Sequence, residues 1–450
     1  MSDPTNRRTR ILILGGGFGG VYTARHLERL WRGSGDVEIS LVSRDNYFVM
    51  TPLLFEAGSG VLEPRHAVNP IRPLLGEARF IEAEVQHIDL GRRAVAVRPT
   101  GSGDVYELEY DQLVLALGGV TNLKLVPGSE NALTFKTLGD AIYLRNQVIQ
   151  LFELADVERD PARKQAQLTF IVVGGGLVGV ELMGEITTFV PSVARLYKHV
   201  DANEVRFEMI EAGPHIAPEF DDKLAEYSAG VLKRRGVQIR TNTRVKAIHP
   251  DSIELPDGQT IAARTIIVAT GVAPSPLVAE LAVDKDHKGR VKTDATMRVS
   301  GQPNLWALGD CALIPDPSGK PYPPLAQHAL REAKQLAENI TSVLRGGQAK
   351  PFVYFSKGTL AALGHFKGAG KVYGINIHGF IAWWVWRTYY LMRMPHWSRR
   401  LRVVIDWTIA LFFRNDVVQL DITRGNRLPT PPTPPPPDVA DATAAAAPSP

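Results

Sequence analysis

The chain has 450 residues, 44% of them hydrophobic and 22% charged, with a formal net charge of +4 at pH 7. That is an ordinary globular mixture, long enough for two or three domains and a large core. A single cysteine, Cys311, excludes an intrachain disulfide, a CxxC redox pair and a cysteine-rich metal site, so redox chemistry has to come from a bound cofactor and no metal is expected.

The opening residues, MSDPTNRRTR, hold no apolar signal-peptide core and are too short for a transit peptide. The expectation is a protein of the cytoplasm or of the cytoplasmic face of the cell membrane. No uninterrupted run of about 18 apolar residues occurs, so no spanning helix is predicted.

The stretch ILILGGGFGG, residues 11–20, runs four aliphatic residues into Gly15, Gly17 and Gly20 in the G-x-G-x-x-G spacing, with Gly16 and Gly19 between them. It predicts a buried parallel strand and a helix starting near Phe18, whose free N–H groups receive a pyrophosphate. Alone, the spacing equally describes a plain glycine-rich turn. A helix is expected over residues 22–30 and a second strand over 37–42. The fingerprint places a ribose-binding acid at the end of that strand, but Ser43 stands there, followed by Arg44 and Asp45. Residues 46–57, NYFVMTPLLFEA, suit packing around a flat ring system or a plain core loop.

Strands are expected at 79–88 and 94–98, a turn at 100–104, and a buried strand at 110–119, YDQLVLALGG. Residues 127–140 read as a connection and 141–155 as a helix. The fingerprint then recurs at 168–185, LTFIVVGGGLVGVELMGE, with Gly174, Gly176 and Gly179. Two dinucleotide sites in one chain suit an enzyme that passes a hydride between cofactors. The strand at 205–210 ends in Glu211, placed to accept both ribose hydroxyls of NAD and to repel the extra phosphate of NADP; the alternative is a carboxylate that merely caps a strand. Residues 264–271, RTIIVATG, repeat the 110–119 strand in kind and end on Gly271.

The duplication predicts an α/β fold with two Rossmann-like dinucleotide-binding domains, the second inserted in the first. Residues 304–310, NLWALGD, form a strand ending in Asp310, which is placed either to hold the ribityl hydroxyls of a flavin or to cap the next helix. That helix is expected from 324–329 to 344, with a break at 346–348.

The C-terminal region is different in kind. FIAWWVWRTYYLM holds three tryptophans and two tyrosines, side chains that favour the boundary between water and lipid. RRLRVVIDWTIALFF places Leu401, Val404, Ile405, Thr408, Leu411 and Phe412 on one helical stripe, with Arg399, Arg402 and Asp406 away from it. Residues 380–427 carry eight Arg against three Asp, a local net charge of +5. These features predict peripheral membrane association through residues 380–413, the alternative being a dimer or interdomain contact. A nucleic-acid face would interleave basic and polar residues more evenly, so no nucleic-acid partner is expected. The Pro- and Ala-rich tail, 428–450, is expected to be disordered.

The order ILILGGGFGG, YDQLVLALGG, FIVVGGGLVGVEL, TIIVATG, ALGDCA and PPLAQHA resembles the flavoprotein disulfide reductase superfamily, and more narrowly the type II NADH:quinone oxidoreductases, single-subunit NADH dehydrogenases that pump no protons. The resemblance implies a non-covalent FAD held by residues 1–135 and 272–349, NADH held by 136–271, a membrane quinone as acceptor, and a membrane-anchoring region at 350–427. Carried over by position, Gly15, Gly16, Gly17, Phe18, Gly19 and Gly20 would cradle the FAD pyrophosphate, Ser43 and Arg44 lie by its ribose, and Val85 by its adenine. Gly118, Asp310, Ala326 and Gln327 would lie toward the flavin, and Gly174, Gly176, Gly179, Glu211 and Gly271 would hold NADH. Glu181, in GVEL, matches the family's acid beside nicotinamide and flavin, and Gln327 its quinone-side residue. A carboxylate buried there can carry a proton near neutrality; a plain helix carboxylate bonded to backbone is the alternative.

Two departures stand out: Ser43 replaces an acid, and Arg331-Glu332-Ala333 replaces a glutamine-rich end of the AQ motif. Sulfide:quinone oxidoreductases and disulfide reductases need redox cysteines that a single Cys cannot supply. A soluble reductase of ferredoxin and a non-enzymatic NADH-responsive binding protein remain as alternatives, and homodimer formation stays open.

Overall fold

The computed structural model describes residues 8–413 and 416–420; the tail at 428–450 and the end of the 350–427 region lie outside the described residues. A seven-stranded sheet runs in the order Leu305–Ala307, Gln112–Leu115, Thr9–Leu14, Val37–Ser43, Arg79–Asp89, Ala94–Pro99, Tyr106–Glu109. The first five strands are parallel and the last two antiparallel. Ile11, Leu12, Ile13 and Leu14 are almost fully buried, as befits a central parallel strand covered on both faces. Helices Phe18–Leu30 and Ala326–Leu344 lie against each other over this sheet.

Between the strands Gln112–Leu115 and Leu305–Ala307 the chain builds a second parallel sheet, in the order Val237–Arg240, Arg206–Ile210, Thr169–Val173, Thr265–Val268. The chain's outward and return passages pair as antiparallel strands, Gly119–Thr121 with Val272–Pro274. Within the insertion a small antiparallel sheet, Ala247–His249, Ser252–Glu254 and Thr260–Ala262, packs with residues of the second sheet. The C-terminal region forms a three-stranded antiparallel sheet, Gly358–Ala362, Gly368–Val372 and Ile375–His378, and then helices Gly379–Arg393 and Trp397–Phe412.

Several local expectations shift. The first helix starts at Phe18, as the glycine spacing predicts, and runs unbroken through the 22–30 stretch to Leu30. The helix expected from 141 starts at Leu138, where Thr137 and Asp140 form a reciprocal capping box. The strand expected over 110–119 is broken, since Gly118 turns the chain with φ +62°. The C-terminal sheet and the strand Tyr106–Glu109 went unread, their runs being only four or five residues long and, in Gly358–Ala362 and Gly368–Val372, made largely of Gly and Ala.

Helix Leu177–Ala194 is long and apolar enough by length and composition to cross a membrane, with mean hydropathy 1.3. Glu181 and Glu185 interrupt its apolar run, and 67% of it is buried within the fold, between the second sheet and the C-terminal region. Within residues 46–57, Met50, Leu53 and Ala57 pack with Trp386, Met394, Val403 and Trp407, making this segment the seat of the C-terminal helices.

Candidate functional site

Each glycine loop joins the end of a central strand to a helix. Gly15 has φ +114° and Gly174 φ +109°, values that side chains rarely adopt, and a Cβ on either would strike the backbone of the neighbouring strand's end, Ala116 or Ala269. Gly20 and Gly179 lie against the carbonyls of Gly15 and Gly174, so each helix sits close on its strand. Around Gly17 the space is open, and neither Gly17 nor Gly176 caps its helix with a side chain. At the first loop the first-turn N–H groups and the helix dipole are thus left for an anion, while at the second the Glu219 carboxylate accepts from Leu177 N at 3.4 Å and stands where an anion would bind.

Ser43 and Glu211 occupy equivalent places. A Cβ on Gly16 would meet the Ser43 side chain, and one on Gly175 would meet the Glu211 side chain. The Glu211 carboxylate accepts from Gly175 N and Gly213 N, each at 2.6 Å, and so ties the loop to its own strand end. Ser43 has no charge to do the same. Phe18 packs edge-on against Phe48 at 4.7 Å, Gly19 lies against Leu308, and Val85 is buried in the core of the first domain. Arg44 is exposed and pairs with Asp45 at 3.5 Å. Asp310 lies in the turn Gly309–Cys311 and faces Lys136 Nζ at 3.5 Å; the helix after it is capped at Leu325, which removes the capping alternative for Asp310.

Open space also surrounds Gly118 and Gly271, and the Thr270 hydroxyl beside Gly271 is buried with no hydrogen-bond partner. Open glycines at two strand ends, helix N-termini with no side-chain cap from the glycine loops themselves and an orphaned buried hydroxyl fit a dinucleotide at each loop, and the residues present therefore suit FAD in the first and NADH in the second, where Glu219 would give way.

Glu181 lies on Leu177–Ala194 a little over one turn past the second glycine loop, and is 9% exposed. Its Oε1 accepts from Ala362 N at 2.9 Å and from Trp386 Nε1 at 3.1 Å. Burial pushes its carboxyl up from 4.5 to about 8, more than those two hydrogen bonds pull it down, and Glu185 and Glu219 push it further up. The backbone-bonded alternative is therefore half right: a backbone N–H does hold Glu181, and the group still keeps its proton near neutrality.

The sequence reading gave no chemical role to the buried acids Glu185, Glu56 and Glu332, the last of which it noted only as a departure in the AQ motif. Glu185, one turn beyond Glu181, accepts from Ser59 Oγ at 2.9 Å, and burial together with Glu56 raises its pKa. Glu56 accepts from Arg387 Nε at 2.9 Å and from Trp407 Nε1, and forms an ion pair with Arg387, whose Nη2 lies 2.7 Å from Glu56 Oε1. Glu332 accepts from Gly309 N at 2.8 Å, and burial raises it from 4.5 to about 7. The recurrence of Glu181 and Glu185 at i, i+4 in an otherwise apolar helix was the available signal for the first.

Gln327 lies in the first turn of Ala326–Leu344, with Ala326 opening the helix, and donates from Nε2 to Ser356 Oγ at 3.3 Å. Arg331 donates to the Gln327 carbonyl at 2.6 Å and stacks over Tyr354 at 4.3 Å. The outer face of the C-terminal helices is apolar: Phe380, Ile381, Trp384, Leu401, Ile405 and Phe412 are all exposed, while Val403, Asp406 and Trp407 turn inward. Among the described residues no group of three or more His, Cys, Asp or Glu is placed to hold a metal ion.

Residues 9–333 match the family described as pyridine nucleotide-disulphide oxidoreductase, and 356–416 match the NDH2 C-terminal domain. The type II NADH:quinone oxidoreductase Ndh of Mycobacterium tuberculosis is 30% identical over 93% of this chain and 91% of its own length. Demethylphylloquinone reductase NdbB of Synechocystis is 34% identical over 90% and 96%. The structure of NDH2 from Plasmodium falciparum in complex with NADH superposes with a TM-score of 0.85 at 21% identity, over 92% of this chain and all of that one. With a two-part family match and relatives of this identity along nearly its whole length, the chain belongs to the type II NADH:quinone oxidoreductase family.

Proposed function

We propose that the protein oxidises NADH and, through non-covalently bound FAD, reduces a membrane quinone to the quinol without moving protons across the membrane. The observation that carries this is the convergence on one helix, Leu177–Ala194, of a glycine loop at its start and a buried acid about a turn later, covered by the C-terminal region. Residues 1–135 and 272–349 hold FAD in this reading, and 136–271 hold NADH. Gly15, Gly16, Gly17, Phe18, Gly19 and Gly20 receive the FAD pyrophosphate, Ser43 and Arg44 its ribose, and Val85 its adenine. Gly118, Asp310, Ala326 and Gln327 lie along the flavin, with Gln327 toward the quinone. Gly174, Gly176, Gly179, Glu211 and Gly271 hold NADH.

When bound, FAD supplies the two-electron chemistry, accepting a hydride from NADH and delivering both electrons to the quinone. The chain's own residues position and protonate. NADH, one proton and quinone give NAD and quinol, so one proton enters from the protein or solvent in each turnover. Glu181, which keeps its proton near neutral pH, is the group suited to deliver it. Glu211, already aimed at the loop backbone, meets the ribose hydroxyls of NADH and disfavours a 2′-phosphate.

The exposed apolar face of residues 380–413, flanked by Arg402, suits a position in the interface of the cytoplasmic leaflet, where it would bring the quinone to the site. Helices of 15 and 16 residues are too short to cross a hydrocarbon core about 30 Å thick. A homodimer through the same face is the competing arrangement.

The test is direct. Purified protein is expected to be yellow, to release FAD on denaturation, and to oxidise NADH steadily with added quinone. A colourless protein that cannot be reconstituted with FAD overturns the reading.

A further inference from the structure

Both hydrogen-bond donors to Glu181 come from the C-terminal region: Ala362 N–H from the edge of its sheet and the indole N–H of Trp386 from helix Gly379–Arg393. Trp386 is wholly buried, so its N–H has no water to turn to. The next residue, Arg387, is clamped between the rings of Trp383 and Trp407, at 4.1 and 4.6 Å, and is paired with Glu56. Trp407, from the last helix, donates to the same Glu56 carboxylate. The bond that holds Glu181 therefore belongs to a helix whose seat is fixed one residue further on, by a cluster joining both C-terminal helices to the first domain.

From this geometry we propose that Trp386 is a positioning residue of the reaction, holding the Glu181 carboxyl through its indole N–H, so that seating of the C-terminal helices and readiness of the acid are one event. The inference rests on the reading of Glu181 as the proton donor and adds the group that sets its orientation and charge balance. The groups facing Glu181 are Glu185 on its own helix, Glu219 in the segment after Arg206–Ile210 at that helix's start, and Tyr390 on the Trp386 helix, with Glu56 and Arg387 acting through Glu185. None of these is a cation in contact with Glu181. Its ionised form is therefore supported by the two neutral donors, and loss of one makes the carboxyl hold its proton more tightly.

The experiment compares the wild type, Trp386→Phe and Glu181→Gln. Trp386→Phe keeps an aromatic ring and removes the donor. Its rate with a short-chain quinone should lose its alkaline limb at a pH about one unit higher than in the wild type, a tenfold change in the protonation equilibrium. Flavin reduction by NADH should keep its wild-type rate. A limb that is absent from Glu181→Gln and unmoved in Trp386→Phe overturns the positioning role while leaving Glu181 as donor. A limb that survives Glu181→Gln overturns the donor reading itself.

Should Trp386→Phe fail to fold, the wild type provides a second readout, the infrared C=O stretch of the protonated Glu181, identified by its absence from Glu181→Gln. Because Ala362 N–H donates to the same oxygen, a band at the lower frequency of a doubly hydrogen-bonded carbonyl supports the proposal. A band at the frequency of a singly bonded or free acid overturns it.

Discussion

Arg387 donates from Nε to Glu56 Oε1 at 2.9 Å, with its Nη2 2.7 Å from the same oxygen, and both side chains are almost entirely out of water. This pair joins the C-terminal helices to the short helix Leu54–Gly58 of the first domain. Removing one partner of such a pair leaves a buried charge without its counterion and costs about 3–5 kcal/mol. Arg387→Met should therefore lower Tm clearly and open the C-terminal helices to protease before the rest of the chain. The double change Glu56→Leu with Arg387→Leu should be milder than Arg387→Leu alone, since no unpaired charge remains. An unchanged Tm for Arg387→Met would mean that the packing of Trp386 and Trp407 suffices.

Cofactor choice is predicted to lie with Glu211. Glu211→Ala should narrow the preference for NADH over NADPH in kcat/KM by about tenfold, equivalent to about 1.4 kcal/mol. Part of the loss will appear with NADH as well, because the same carboxylate holds Gly175 N and Gly213 N in place. A wild-type enzyme that uses both cofactors equally would contradict the assignment.

Stability should fall as pH rises toward neutrality. Burial raises the Glu332 carboxyl from 4.5 to about 7, so the folded protein keeps a proton that the unfolded chain releases. Its contribution is complete below pH 4.5 and is lost as pH climbs through about 7. Glu181, raised to about 8, acts in the same sense. Glu332→Gln, which cannot ionise, should flatten the decline of Tm over this window, the full slope for one such group being at most about 1.4 kcal/mol per pH unit. A decline as steep in Glu332→Gln as in the wild type would assign the effect to the other acids.

Membrane attachment is best tested on the outer face. Truncation after Gly379 would strip Trp386, Met394, Val403 and Trp407 from Met50, Leu53 and Leu62, so loss of fold would mask loss of attachment. Ile405 and Phe412, 47% and 78% exposed, can be charged without disturbing that core. Each side chain contributes about 1.5–3 kcal/mol when fully buried in an apolar phase. Ile405→Asp with Phe412→Asp should move the protein into the soluble fraction, with FAD bound and activity toward an artificial acceptor retained. Continued sedimentation with membranes would place the anchor elsewhere, and a change from dimer to monomer would favour the competing interface.

Much of the frame was legible in the chain. The two glycine loops, the strands that feed them and the insertion of one sheet's residues within the other's followed from contiguous patterns such as ILILGGGFGG and FIVVGGGLVG. Asp310 and Gln327 were legible as candidates but not their surroundings: Lys136 lies 174 residues before the first, and Ser356 meets the second from a different element. Residues 46–57 allowed two readings because an apolar loop looks the same whether it lines a ring or seats a helix, and the seat became visible only with Trp386 and Trp407 beside Met50 and Leu53.

A phosphate cradle is made of consecutive backbone, so its glycines are recorded locally and survive as a readable spacing; so is the outward apolar stripe of the last helix, whose period is that of the helix itself. The state of Glu181 is recorded nowhere locally. Its partners, Ala362 and Trp386, lie 181 and 205 residues along the chain, and its raised pKa comes from the desolvation they and their neighbours impose together. Burial and long-range hydrogen bonding are properties of the packed whole, and they alone turn a helix carboxylate into an acid that keeps its proton near neutral pH.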